Sequence, residues 1–502
     1  MSDHHKRIII VGAGIAGLSI AWSIKQRASD VEVVVLERSP RAGGNIRTEH
    51  LEGYVCEWGP DGFLDNAPAT LALVHDLGLS ARILPSNDAA RKRYIFSQGR
   101  LCEVPTSIGA FLKSPLLSTR GKLRVMGEPF SKRRKDDEES ILDFARRRIG
   151  AEAAAVLVDP MVSGIFAGNA DALSLKACFP RMRQIEDDHG GLVRGLLATR
   201  RSRKADDAPG APSGRLTSFV GGMSDLVDGL THSLGGIVRT SVPVTALQAN
   251  QTPTLRPDVA SRRRYTVTTS QEALDADAVV LSGPAAESAT ILRNLDGHLA
   301  SLLEGIPTAP LAVVCLGYEA ATLRPQCHLD GFGFLVPRGE GLRILGALWE
   351  TSIYRHRAPE GMALLRVMIG GARDPEAASL GDADLIQVVR NDLARTMNVS
   401  AVPELVRVIR HPRGIPQYVK GHLARLNQID VLLEAHPGIF LAGSSYRGVS
   451  INSCIADAGP VADAALEGAR SDPFRGPRFS FRDRQAVPCS DQCRRPGLSC
   501  IP

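Results

Sequence analysis

At 502 residues the chain exceeds what one hydrophobic core comfortably spans, so two or three domains are expected. Its 60 basic and 54 acidic residues leave a net charge of +6, too mild to argue for nucleic acid and compatible with an anionic substrate or an anionic membrane surface. Nine cysteines show no CxxC spacing; Cys56, Cys102, Cys178, Cys315, Cys327 and Cys454 stand singly, often in apolar surroundings, which points to a reducing compartment. Met1 to Arg7 leads directly into the first strand and leaves no room for a cleaved signal. The apolar run Ile8 to Ile24 is too short and glycine-broken to span a membrane.

That run, Ile8-Ile-Ile-Val-Gly12-Ala13-Gly14-Ile15-Ala16-Gly17, is a β-branched strand feeding a glycine turn and a small-residue helix. A second β-branched run, Val31 to Leu36, ends in Glu37 about twenty residues past the turn, completing a βαβ dinucleotide fingerprint. Gly12 makes the tight turn, Gly14 lets the backbone approach a pyrophosphate at the helix N-terminus, Gly17 lets the helix sit close to the sheet, and Glu37 is placed for ribose hydroxyls. Arg41-Ala-Gly43-Gly44-Asn45 extends the site, since paired glycines let backbone pass under a ligand, and Glu57-Trp-Gly59-Pro60-Asp61-Gly62 forms a second rigid turn. Ala67 to Leu79 reads as an amphipathic helix closed by Gly78.

Arg91 to Pro105 predicts two short strands turned at Gln98-Gly99, with basic residues that serve either a ligand or the guarding of a solvated edge. From Gly109 to Met126 apolar and basic residues interleave, before Ser131-Lys-Arg-Arg-Lys135 and Asp136-Asp-Glu-Glu139. Such a stretch suits a lipid interface or an ordinary helical subdomain. Ser140 to Ile149 and Ala151 to Val162 predict helices ended by a glycine-bounded turn, Gly164-Ile-Phe-Ala-Gly168, and residues 198–215 a polar loop. Phe219-Val-Gly-Gly222-Met opens a helix. Ile237 to Leu247, Tyr265 to Thr269 and Ala276 to Pro284 predict strands.

Leu311 to Tyr318, Phe332 to Pro337, Arg343 to Glu350 and Ala363 to Gly371 predict a second, largely antiparallel sheet, followed by a helix from Asp382 to Met397 and a strand from Val406 to Arg410. Gly438 to Ile455 repeats the opening arrangement, strand, glycine turn and helix, and offers a second helix N-terminus to the same cofactor. After Ser471 the chain is rich in proline and arginine. Its Cys489, Cys493 and Cys500 make a poor zinc set without a histidine, and a disordered tail over 471–502 is expected. His189 and His411 read as surface or hydrogen-bonded residues, and no Ser/His/Asp or Cys/His arrangement is visible.

Together these motifs resemble the flavin-dependent protoporphyrinogen/coproporphyrinogen III oxidases of the amine oxidase flavoprotein superfamily. The narrower likeness rests on Glu57-Trp-Gly-Pro60, Gly164 to Gly168, Phe219 to Met223, Gly331-Phe-Gly-Phe-Leu-Val-Pro337, Leu365 to Gly371, Ile415-Pro-Gln-Tyr418 and Ala442 to Val449, in order along the chain to about residue 470. The resemblance implies an α/β and α+β fold: a discontinuous Rossmann-like FAD-binding domain (1–90, 216–305 and 425–470), a substrate domain with a mixed or antiparallel sheet (91–105 and 306–424), and a helical, membrane-associating domain (106–215). It implies FAD held by Gly12, Ala13, Gly14, Ile15, Ala16, Gly17, Glu37, Arg38, Gly43, Gly44, Asn45, Gly59, Pro60, Asp61, Gly62, Val244, Ser444, Val449, Ser450 and Ile451, with no metal. For the substrate it implies Arg93 as a propionate anchor, Phe332, Phe334 and Leu335 as apolar walls, and a close backbone approach at Gly168.

The implied activity is six-electron oxidation of protoporphyrinogen IX, with flavin-based chemistry and no dedicated catalytic side chain; coproporphyrinogen III is the nearest rival substrate. An amine or carotenoid oxidoreductase and a non-catalytic flavin-binding scaffold are more distant alternatives. The expected partners are the porphyrinogen, dioxygen or a quinone-like acceptor, a ferrochelatase taking the product, a second copy of the chain, and a membrane touched from the cytoplasmic side.

Overall fold

The computed structural model describes residues 5–133, 138–202, 214–250, 263–324 and 327–471. Asp136 and Asp137 of the acidic run, most of the 198–215 loop and nearly all of the C-terminal stretch with its three cysteines lie outside these residues. Five short apolar strands pair in parallel in the order Val238–Arg239, Val31–Leu36, Lys6–Val11, Ala278–Leu281, Ile439–Leu441. Alternation sends Ile8, Ile10, Val33 and Val35 to one face, under helices Ile15–Arg27, Ser224–Leu234 and Ile451–Arg470. Ile9, Val34, Val279 and Leu281 face the other way, under helices Ala285–Leu292 and Gly297–Glu304 and the antiparallel strands Val244–Ala249, Tyr265–Thr269 and Ala273–Ala276. Both faces are buried, which is why these strands read as nearly unbroken apolar runs.

The second sheet has seven strands, ordered Leu405–Pro416, Thr308–Glu319, Met362–Gly370, Ile344–Trp349, Gly333–Leu335, Tyr94–Ser97, Arg100–Glu103. All its pairings are antiparallel except that of Gly333–Leu335 with Tyr94–Ser97. Ala312, Val314, Leu316, Leu365, Val367 and Ile369 share one core with helix Asp382–Met397. Val313, Cys315 and Leu364 face Tyr54, Cys56 and Ala167 on the other side. That second face looks toward the Gly59–Gly62 turn. Residues 108–202 contribute helices, including Ile141–Ile149, Asp159–Phe166 and Pro180–His189, and a separate small core around Phe144, Val162 and Phe166.

Three elements depart from the expected pattern; the first five residues of the loop expected over 198–215 are the end of helix Leu192–Ser202. The strand anticipated from Ile237 to Leu247 is two strands in two different sheets, Val238–Arg239 and Val244–Ala249. Ser241 at φ +58° turns the chain between them, and Pro243 has no N–H to donate to a ladder. The anticipated turn at Gly164 is helix as far as Phe166, stopped by Ala167 in the left-handed region. Gly164 is there for packing, because a Cβ on it would lie 2.7 Å from Leu335 Cδ2.

Leu365 is fully buried in the second sheet's core. Leu365→Ala is expected to destabilise the protein by about 2–5 kcal/mol through lost burial and a cavity, read as a lowered urea midpoint; an unchanged midpoint would contradict the assigned core.

Candidate active site

The opening turn is built by steric exclusion. Gly12 has φ +103°, its N–H donates to Leu36 O at 2.8 Å, and a Cβ on Gly17 would lie 2.0 Å from Gly12 O, so the helix can close onto the turn only with glycine there. Gly14 differs: a Cβ on it would meet nothing within 4 Å. Gly14 caps helix Ile15–Arg27 with no side-chain hydrogen bond and no acidic residue in the first turn, so the N–H groups of Ile15, Ala16 and Gly17 present an open, positively polarised end. The buried Glu37 carboxylate accepts from Ala13 N and Ser39 N, both at 2.8 Å, which fixes it at the strand end. This is a cradle for a dinucleotide pyrophosphate and ribose, and FAD fits it.

Of the other residues expected to hold the cofactor, Gly43 and Gly44 lie against this turn. Gly43 N donates to Ala13 O at 2.7 Å, and Gly44 comes within 3.4 Å of Gly14 Cα, measured from the position its Cβ would take. Asn45 stands back to back with Gly59, whose Cβ would lie 2.2 Å from Asn45 O. Pro60 and the buried Asp61 follow, and a Cβ on Gly62 would lie 2.5 Å from Thr217 O, so this turn is sealed from behind. Arg38 pairs with Glu287 at 2.7 Å. Val244 packs at the edge of the core beneath the strand carrying Glu37, where Val242 N donates to Glu37 O at 2.8 Å.

Tyr418 organises the second glycine turn. Its hydroxyl donates to Ser444 O at 2.6 Å and accepts from Gly448 N at 2.8 Å, its ring stacks on His422, and burial pushes its pKa up, so it stays a neutral donor. Ser450 caps helix Ile451–Arg470 through Ser453 N, while Asn452 donates to Leu64 O just past the Gly62 turn. Val449 packs toward the helical region, and Ile451 joins the core of the parallel sheet. The two ends of the chain thus meet on one site.

On the substrate side the Arg93 guanidinium lies 5.1 Å from the Phe332 ring centroid, and no carboxylate among the described residues pairs with it; burial pulls its pKa down. Phe332 packs with Ile353 and Tyr354, and the Tyr354 hydroxyl lies 3.0 Å from where a Gly62 Cβ would be, so the Arg93–Phe332 pair borders the Gly62 turn. Leu335 points toward Gly164, whereas Phe334 faces the opposite side of the sheet, in the core with Trp349. Gly168 stands against Gln417, whose amide donates to Phe166 O at 2.8 Å. Phe332 and Leu335 therefore lie toward the site and Phe334 behind it.

Sequence reasoning assigned no role to the buried residues beneath the Gly59–Gly62 turn. Arg366 donates to Gly59 O, Arg357 donates to Glu57 at 2.9 Å and to Ser218 at 2.8 Å, and His411, hydrogen-bonded to Trp58 O at 2.8 Å, is lowered by burial. A signal existed for Arg366: it is a charge in the middle of an apolar strand, on the face it shares with Leu364 and Met368.

The sequence matches the family described as Flavin containing amine oxidoreductase over residues 15–466. It is 33% identical over 473 residues to the coproporphyrinogen III oxidase of Bacillus subtilis (strain 168), covering 91% of this chain and 97% of that one. It is 32% identical over 471 residues to the chloroplastic protoporphyrinogen oxidase of Oryza sativa subsp. japonica, covering 89% and 85%. A crystal structure from Exiguobacterium sp. 255-15, of a candidate protoporphyrinogen oxidase, superposes at TM-score 0.78 and 28% identity over 92% of this chain and 99% of that one. Reduced UDP-galactopyranose mutase, at 15% identity and TM-score 0.69 over 92% and 94%, shares the fold alone.

Gly14→Ala meets no protein atom, so it is expected to leave the thermal midpoint of the flavin-free protein unchanged while weakening FAD binding about tenfold or more, about 1.4 kcal/mol, in a fluorescence titration. Equal affinity would show that the ligand does not pass over Gly14.

Proposed function

The chain belongs to the flavin containing amine oxidoreductase family and is an FAD-dependent oxidoreductase, and from that premise we propose that it oxidises protoporphyrinogen IX to protoporphyrin IX in haem synthesis. The observation that carries this reading is one unpaired guanidinium at the edge of an apolar wall. Arg93 stands over Phe332 beside the flavin turn, while Arg338 and Arg373 are both engaged by Asp159. A planar guanidinium suits the ring's propionates, and Phe332 and Leu335 suit its pyrroles. FAD, when bound, accepts a hydride in each two-electron round, so three rounds remove the six electrons. The chain's own residues hold the ring near the Gly59–Gly62 turn, and the sealed packing behind that turn excludes water. Dioxygen or a quinone-like carrier is the proposed final acceptor.

A second reading, oxidation of coproporphyrinogen III, is favoured by the likeness to coproporphyrinogen III oxidases. A tetracarboxylated ring asks for further free cations beside Arg93, and the pairing of its neighbours Arg91 and Lys92 with Asp88 and Asp330 speaks for the dicarboxylate.

The division into FAD-binding, substrate-binding and helical domains is part of the same proposal, as are product transfer to a ferrochelatase, self-association, and cytoplasmic docking on a membrane. No helix among the described residues is long and apolar enough to cross a membrane. What supports docking is Ile108, Leu112, Leu123, Met126 and Phe130, all exposed and the last by 87%, with Lys113 and Arg120 exposed among them.

Arg93→Ala is expected to raise KM for protoporphyrinogen about 10- to 100-fold, the loss of about 1.5–3 kcal/mol from charge-assisted bonds, with a smaller change in kcat and partial recovery in Arg93→Lys. An unchanged KM would remove Arg93 from the site. The pair Leu123→Asp and Phe130→Asp, introduced together, is expected to lower co-sedimentation with phosphatidylglycerol vesicles; undiminished sedimentation would place the docking face elsewhere.

A further inference from the structure

Behind the Gly59–Gly62 turn lies a sealed cluster of charge. Glu57, Asp61 and Glu350 supply three carboxylates and Arg357 and Arg366 two guanidiniums, none more than 8% exposed. Glu57 is fully engaged: it accepts from Met223 N at 2.8 Å, Thr48 Oγ1 at 2.8 Å and Arg357 Nη1 at 2.9 Å. Asp61 and Glu350 are not. No N–H group or hydroxyl reaches any of their four carboxyl oxygens, and the guanidiniums stand off at 3.9 Å from Asp61 and 3.8 Å from Glu350. A fully buried carboxyl that no donor reaches is held more readily as the neutral acid than as the anion.

Charge balance gives the same answer by a separate route. Two ionised guanidiniums are neutralised by two carboxylates, and a third ionised carboxylate would leave an uncompensated charge in a site closed to water. The remaining neighbours supply no further cation, and Cys56, lowered by its hydrogen bond to Cys315, could add only negative charge. Burial pushes Tyr354 up, its hydrogen bond to Cys56 and burial push Cys315 up, and burial keeps His411 low. Burial and the Asp61 charge push Glu350 well above the carboxylate range, against the pull of Arg366 and Arg357.

We propose that Glu350 holds a proton and acts as a positioning residue, keeping the foundation of the Gly59–Gly62 turn electrically neutral beneath the flavin. The link to the flavin rests on the reading that this turn supports it. No bond of the substrate is made or broken by the pair.

The test is infrared spectroscopy of the flavin-loaded protein, with the carbonyl stretch of a protonated carboxylic acid as readout. The native protein is expected to show one such band that shifts in deuterium oxide and moves when the flavin is reduced by dithionite. The band should vanish in Glu350→Gln. It should vanish also in Asp61→Asn, because with one negative charge removed Glu350 must ionise to balance the arginines. A native protein without the band, or a band that survives Glu350→Gln, overturns the proton on Glu350. A band indifferent to flavin reduction overturns its link to the cofactor.

Should Asp61→Asn fail to fold, pH supplies an independent arm. A carboxyl with a raised folded pKa confers stability that is full below the unfolded carboxylate value and is lost as pH rises through the folded one. Glu350→Gln has no such loss, so its thermal midpoint should gain on the native protein as pH rises, and a gap that stays constant overturns the proposal. Flavin content and porphyrinogen turnover report on the proposed function separately, since the acid band can also be read in flavin-free protein.

Discussion

Two buried guanidiniums fasten the seven-stranded sheet to the nucleotide-binding half. Arg357, in the helical turn between strands Ile344–Trp349 and Met362–Gly370, reaches Glu57 and Ser218, and Arg366, within Met362–Gly370, reaches the carbonyl of Gly59, so the sheet and its connection are tied to the Gly59–Gly62 turn and the short strands beside it. A buried arginine is tolerable only when its charge is matched, which obliges Glu57, Asp61 and Glu350 to gather beneath that turn. The contact also pins strand register. Arg366 projects from the same face as Leu364, and a slip by one residue would drive its charge into the core that Leu365 and Val367 share with helix Asp382–Met397.

From this fastening the layout of the site follows. The Gly12–Gly17 turn and Glu37 offer an end for the nucleotide. Tyr418 holds the second glycine turn by bonding to both Ser444 and Gly448. Arg93 and Phe332 then stand where the substrate sheet borders the Gly62 turn. The same fold at 15% identity serves a mutase, so the architecture by itself does not select a reaction. In the proposed function selection falls to a few side chains, chiefly Arg93, Phe332 and Leu335.

The parts of this arrangement that depend on local chain chemistry were legible in the sequence. Glycines required by a tight turn or a close approach announce themselves by spacing, as at Gly12 and Gly17. The helix Asp382–Met397 and the hairpin turned at Gln98-Gly99 were placed by periodicity and turn chemistry. What was not legible depends on distant partners. Phe334 was grouped with Phe332 and Leu335 because the three lie in one motif, yet pleating turns it away from Leu335, into the core with Trp349, while Phe332 lies before the strand, across Gly333 at φ +132°. Gly164 reads as a turn former until Leu335, far along the chain, is seen to occupy the space its side chain would need. The Asp61–Glu350 pair joins residues nearly three hundred positions apart, and no local pattern connects them.

The central claim is that this flavin site oxidises porphyrinogens, with the dicarboxylate protoporphyrinogen preferred. The most direct measurement is the rate at which the bound flavin bleaches under anaerobic conditions when the purified protein is mixed with protoporphyrinogen IX or coproporphyrinogen III. The account predicts bleaching by both, faster with protoporphyrinogen, with stoichiometric porphyrin fluorescence. Faster bleaching by coproporphyrinogen would reverse the substrate assignment, and a flavin that neither porphyrinogen reduces would contradict the function itself.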